Sequence, residues 1–303
     1  MKIKSGELVK SMRKEMGLSQ EDMAAKLHVS TRQFSRIETD EADLDVWQFV
    51  SFFELLGRPT EDIWLLYLDS GEYDEYQAYR NVKRLMWAKR IPEAKEALQK
   101  LEEMGLSKRP MIGQFITYAK ASTNKDAPPE QILEELKAAI HMSIPKFDEG
   151  TIAEYRLTYN EVNILCLMAT NLRKLGETER AISINEAIIK NRENIRASEE
   201  DKAKLLPAIM FNMSNLLGQS GKHKEALKYC NTALDISREY NNLLSVPGIL
   251  YNTACSLKLL GEEERVYKPH LQRAYHCAYA IGDTENANII KNDAEKYFGI
   301  TAL

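Results

Sequence analysis

The sequence predicts an all-α protein, a small N-terminal domain followed by a long array of helical hairpins, and three observations carry that prediction. Apolar residues recur at three- and four-residue spacing from near the N-terminus onward. Short polar turns holding Gly or Pro break these runs into helix-sized pieces. From about Glu75 the pattern begins to rhyme with itself, the mark of a repeat architecture.

Taken in order, Glu7 to Met16 reads as a first helix, with Leu8, Met12 and Met16 as its inner stripe, Lys10, Arg13 and Lys14 outside, and Gly17 ending it. Ser19 is a good N-cap, and Asp22 stands where its carboxylate can reach back to the cap amide. Met23, Ala24 and Leu27 face inward on the helix that follows, and His28-Val29-Ser30 falls where a tight turn is needed. Ser30 and Gln33 repeat the capping box at the start of a third helix. On it Phe34 and Ile37 point inward, and Thr31, Arg32, Gln33, Ser35 and Arg36 are left outward. Two short helices across such a turn, the second with an arginine-bearing outer face, form a helix-turn-helix. A fourth helix from Asp45 to Leu56 carries Val46, Trp47, Phe49, Val50, Phe53 and Leu56, and Gly57-Arg58-Pro59 stops it. Thr60 caps a fifth through Ile63, Trp64, Leu65 and Leu68. The expected domains are therefore 1–68, a linker over 69–74 containing Asp69-Ser70-Gly71, and 75–303.

The run from Ser19 to Glu38, S-Q-E-x-x-A-x-x-L-x-V-S-x-x-x-x-S-R-I-E, resembles the phage-repressor-type helix-turn-helix of bacterial transcription regulators. It departs at the turn, where His28 stands in place of the usual Gly; His is among the residues that tolerate left-handed backbone. The resemblance implies double-stranded DNA as a partner. Thr31 and Arg32 would meet base edges, Arg36 a base or a phosphate, and Gln20 a phosphate, with Gln33 and Ser35 assisting. The competing reading is a solvated helical face. Charge distribution favours DNA: net charge is −4, yet within residues 1–37 Lys2, Lys4, Lys10, Arg13, Lys14, Lys26, Arg32 and Arg36 face only Glu7, Glu15, Glu21 and Asp22.

In the second part three segments share a small-x-x-Leu-x-x-x-Gly frame. They are Ala169, Leu172, Gly176, Ala181; Ser214, Leu217, Gly221, Ala226; and Ala254, Leu257, Gly261, Val266. Small residues let paired helices approach and the Gly permits the turn between them. Gly221 to Ser237 resembles the second half of a tetratricopeptide repeat, although the Gly-to-Gly spacings of 45 and 40 residues exceed the usual period of about 34. Two further units are read upstream. One runs from Glu75 to Met104 on Val82, Leu85, Ala94 and Leu98; the other from Met111 to Ile144, interrupted by Asn124 to Pro129 because Pro128-Pro129 cannot lie inside a helix. Thr284 to Phe298 is a terminal helix covering the last repeat.

The expected fold is thus a five-helix helix-turn-helix domain followed by a superhelix of about five tetratricopeptide-like repeats. That order resembles the peptide-pheromone regulators of Gram-positive bacteria, the group containing Rgg, PlcR, NprR and PrgX. The resemblance implies a homodimeric transcription regulator on a near-palindromic operator, with repeats that receive a short signalling peptide. A protein-binding adaptor is the alternative. Groove-facing positions of the first helices are Asn163, Leu167, Thr170 and Lys174; Ala208, Asn212, Asn215 and Gln219; and Gly248, Asn252, Cys255 and Leu259. Carboxamides can pair with an extended peptide's backbone, and Phe211 and Tyr251 are candidate pocket walls. The competing reading is that these asparagines tie adjacent repeats together.

No phosphate loop, nucleophile elbow or metalloprotease motif occurs, so the sequence offers no enzyme and no cofactor or metal site. Cys166, Cys230, Cys255 and Cys277 are far apart and are expected as buried free thiols. An apolar content of 44 % with 28 % charged residues is that of a globular protein. The polar start, and no apolar run near the length of about 20 residues that a membrane span needs, lead to an expected cytoplasmic location.

Overall fold

The computed structural model describes residues 6–45, 48, 51, 52, 55, 70–106, 110–124 and 126–302, and these divide into two compact units, Met1–Leu106 and Ser107–Leu303. Among the described residues no β-strand occurs, and the one β-feature is an isolated bridge between Thr158 and Arg196.

The first unit opens with α1 (Gly6–Glu15), α2 (Gln20–Lys26) and α3 (Thr31–Glu38). Val9, Met12, Met23, Ala24, Leu27, Phe34 and Ile37 close into one core, joined by Leu44 and Phe52. Both helix starts follow their caps. Ser19 and Asp22 make the full reciprocal box, whereas Ser30 accepts from the Gln33 amide without a return bond, leaving the Gln33 side chain exposed. His28 takes the left-handed conformation expected of the turn, with φ 55°. Arg13 departs from the sequence reading: it is buried at 8 % exposure rather than outward, so one of the basic charges counted on this face is internal.

Most of the expected fourth helix, all of the fifth, and Asp69 of the linker lie outside the described residues. Within the fourth, Asp45 and Gln48 exchange cap bonds of 2.9 and 3.0 Å, and Phe52, unremarked in the sequence reading, is fully buried. Helix α4 (Ser70–Trp87) pairs with α5 (Ile91–Glu103). The residues 70–74 expected as linker are therefore already helical, and Tyr73 packs on the N-terminal core, which is why this pair belongs to the first unit.

The second unit consists of α6 (Pro110–Thr123), α7 (Pro129–His141), α8 (Tyr159–Lys174), α9 (Thr178–Lys190), α10 (Glu199–Gln219), α11 (His223–Glu239), α12 (Val246–Leu259), α13 (Glu264–Ala280) and α14 (Thr284–Asp293), ending in a π-helical turn, Ala294–Phe298. Each helix packs on the next in the chain. The first members of the pairs, α6, α8, α10, α12 and finally α14, also touch one another in a row. That is the stacking of a helical solenoid. Gly176, Gly221 and Gly261 end α8, α10 and α12 with φ between 75° and 84°, a backbone that a side chain resists.

The last frame position needs correcting. Val266 is 37 % exposed, and Tyr267 fills the buried slot. Helices α9 and α11 begin two residues after their Gly, but α13 begins three after, so its fourth helical residue is Tyr267 where the others have Ala181 and Ala226. The long repeat spacing has an equally local cause. Between Gly176 and Gly221 the chain adds a turn over 191–198 and a 21-residue α10 against a 16-residue α8.

Candidate functional site

The DNA-facing candidates depend on how α1 to α3 are locked together. Glu38, at the end of α3, receives the Arg13 guanidinium through two bonds, Nε to Oε1 at 2.6 Å and Nη2 to Oε2 at 3.2 Å. Arg13 Nη1 also donates to the Leu18 carbonyl at 2.7 Å, and Gln20 Nε2 donates to Glu38 Oε2 at 2.5 Å. One carboxylate thus ties the first, second and third helices. Gln20, expected on phosphate, has its amide nitrogen engaged inside the domain.

Thr31, Arg32, Gln33 and Arg36 are exposed and Ser35 is half-buried. Among the described residues no carboxylate pairs with Arg32. Arg36 leans on the next loop, with Nε 3.8 Å from Glu41 Oε2 and Nη2 donating to the Glu41 carbonyl at 3.3 Å. With both partners more than half exposed, that pair is weak and easily exchanged for a phosphate. At α2, the Ser19 hydroxyl and amide hold the Asp22 carboxyl below its ordinary range.

The groove candidates separate into two sets. In the first, Thr170 on α8 and Asn212 and Asn215 on α10 line a small shared cleft that is open to solvent. Neither of these two asparagine amides has a partner among the described residues, and Thr170 Oγ1, which donates to the Cys166 carbonyl at 2.9 Å, still has lone pairs able to accept. Ala169 and Leu216 give the cleft an apolar floor.

In the second set the polar groups are already used. Asn252 Nδ2 donates to Ser214 Oγ at 2.9 Å, tying α12 to α10, the inter-repeat bond that was the competing reading of these asparagines. The Tyr251 hydroxyl donates to Asp293 Oδ2 at 2.6 Å, and its ring meets Phe298 edge-on at 6.5 Å. Burial, followed by the Asp293 bond, raises its pKa. Phe211 lies against Gly248 so closely that a Cβ there would sit 2.6 Å from the ring. Asn163 bonds back to the Tyr159 carbonyl, and Lys174, Gln219 and Leu259 are exposed.

Sequence reasoning missed Arg173 and Asn185, which also line the cleft. Asn185 lies on α9, a second helix, and only the fold brings it through to the groove. Its amide nitrogen donates to the Ala181 carbonyl at 2.9 Å, while Oδ1, in a residue 1 % exposed, has no partner.

The cysteines also depart from expectation. Cys230 is buried, but Cys166, Cys255 and Cys277 are half-buried. Burial nevertheless pushes Cys166 up to about 12 and Cys255 to about 11.

Residues 6–65 match a family described as a helix-turn-helix domain. No curated protein matches the sequence. Solved structures share the fold along nearly the whole chain. Bacillus thuringiensis PlcR in complex with the peptide PapR7 and DNA is similar at 20 % identity, covering 96 % of this chain and 99 % of that one, with a TM-score of 0.68. ComR from S. thermophilus, in complex with DNA and its signalling peptide ComS, is similar at 15 % identity over 95 % and 97 %, TM-score 0.55. The Streptococcus dysgalactiae SHP pheromone receptor Rgg2 is similar at 14 % identity over 96 % and 99 %, TM-score 0.52.

Proposed function

We infer that this chain is a sequence-specific DNA-binding transcription regulator whose repeats bind a short signalling peptide, and that peptide binding alters how it holds its operator. The observation that carries this reading is the pairing, in one chain, of an exposed polar recognition helix with a cleft in which the Asn212 and Asn215 carboxamides have no partner among the described residues, on a fold shared end to end with peptide-and-DNA complexes.

In this reading Arg32 and Thr31 meet base edges, and Arg36, Gln33 and Ser35 hold the neighbouring backbone. Gln20 acts mainly through Glu38, setting the angle at which α2 and α3 meet DNA. Thr170, Asn212 and Asn215 contact peptide, with Asn163, Lys174 and Gln219 along the same face. Phe211, Tyr251 and Asn252 shape the groove by packing. The active form is a cytoplasmic homodimer, because one short recognition helix gains affinity by addressing two half-sites about 34 Å apart.

Selection of duplexes from a random pool by the full-length protein is expected to return a near-palindromic motif. Short peptides encoded beside the gene are expected to change its affinity for that motif. Recovery of no motif with or without peptide, together with capture of a folded protein partner by the repeats, would favour the adaptor reading instead.

A further inference from the structure

The cleft between α8 and α10 has an asymmetry of donors and acceptors that narrows what fits it. Arg173, one turn beyond Thr170, is half-buried, and among the described residues no carboxylate pairs with it. A guanidinium offers five N–H donors in a planar fork and no acceptor, a geometry matched by a carboxylate. Across the cleft, Asn212 and Asn215 add unengaged amides at the same three-residue spacing. Beneath them, Asn185 points the other way chemically: its nitrogen is committed and its buried Oδ1 waits for a donor. An acceptor buried to this degree has given up its bond to water and is stabilised when something donates to it.

We propose that this cleft binds a carboxylate with an N–H donor beside it, the combination carried by the last residue of a peptide, and so fixes the direction in which a peptide lies along the groove. Arg173 takes the carboxylate in its fork, Asn185 Oδ1 accepts the adjacent N–H, and Asn212 and Asn215 pair with the backbone leading away. This deepens the reading of the repeats as a peptide receptor and rests on it. The same carboxylate could come from an Asp or Glu side chain of the peptide, so the experiment separates the two sources.

Full-length protein is dialysed to equilibrium against two pools of N-acetylated random heptapeptides, one ending in the free acid and the other in the amide, and retained peptides are identified by mass spectrometry. Retention from the acid pool is expected to exceed that from the amide pool at least tenfold. Arg173→Gln is expected to abolish this preference and Arg173→Lys to keep part of it, with circular dichroism unchanged in both and operator binding unchanged when peptide is absent. Amidated peptides enriched in Asp or Glu, and lost with Arg173→Gln, would support the carboxylate site with a side chain as its source. Equal retention from both pools, indifferent to Arg173 and without acidic enrichment, overturns the proposal while leaving the peptide receptor in place. Retention of nothing from either pool overturns both.

Discussion

Glu38 holds three helices with two oxygens, and its neighbourhood shows what a single side chain contributes here. Removing one member of a buried ion pair strands the other, a loss of about 3–5 kcal/mol. Arg13→Ala is therefore expected to strip hydrogen-exchange protection from residues 6–38 and abolish operator binding while leaving protection in α8 to α13 intact. Joint replacement by apolar residues, Arg13→Met with Glu38→Leu, recovers much of the lost stability. Arg32→Ala is expected to act on recognition alone, with an affinity loss of about 1–3 kcal/mol at one operator position, read by competition binding against single-base variants. Periodicity assigned Met12, Met23, Ala24, Leu27, Phe34 and Ile37 because each helix announces its own face, but it passed over Val9, which is fully buried in the same core. It put Arg13 outside because its partner lies 25 residues on, a distance that no local pattern spans. Cys166 and Cys255 supply a chemical prediction. A thiol pushed up in pKa carries less thiolate at any pH below that value, so both are expected to react with iodoacetamide at pH 8 several-fold more slowly than the same thiols in urea-unfolded protein.

Between elements, the contact of α10 with α12 fixes which groove residues are free. Gly248 admits the Phe211 ring, and Gly248→Ala is expected to lower stability by about 1–3 kcal/mol through overpacking, with Phe211→Leu relieving it in the double variant by chemical denaturation. Asn252 and Ser214 make the neighbouring bond, so their alanine variants are expected to cost about 1 kcal/mol each and to be non-additive in a double-mutant cycle. Asn212→Ala, by contrast, breaks no bond among the described residues and is expected to weaken peptide binding with stability unchanged. The sequence placed Asn212, Gly248 and Asn252 at groove-facing positions, which a repeat frame can do. It could not divide them, because whether an amide is engaged depends on what the neighbouring repeat presents opposite it. Nor could it find Asn185, which reaches the groove from a second helix, or place Tyr267, which one extra turn residue moved into the core.

For the whole molecule, domain order and helix-pair succession were legible because each hairpin is a local unit with its own start and stop signals, such as Pro128-Pro129 opening α7 and the left-handed Gly176, Gly221 and Gly261 closing α8, α10 and α12. Less legible was the allegiance of α4 and α5: Tyr73 draws them to the N-terminal core, although their own pattern reads like the repeats after them. Light scattering of the full-length protein on operator DNA is expected to give two protein chains per duplex. The row α6, α8, α10, α12, α14 has a mechanical consequence. Its packing passes from each first helix to the next like the segments of a folding rule, and in such a series a small turn at one joint swings everything beyond it as a single arm. The cleft that holds Thr170 on one side and Asn212 on the other sits across the α8–α10 joint, so a ligand that bridges it is expected to fix an angle there, and the arm from α11 to α14 to carry that angle outward, magnified by its own length.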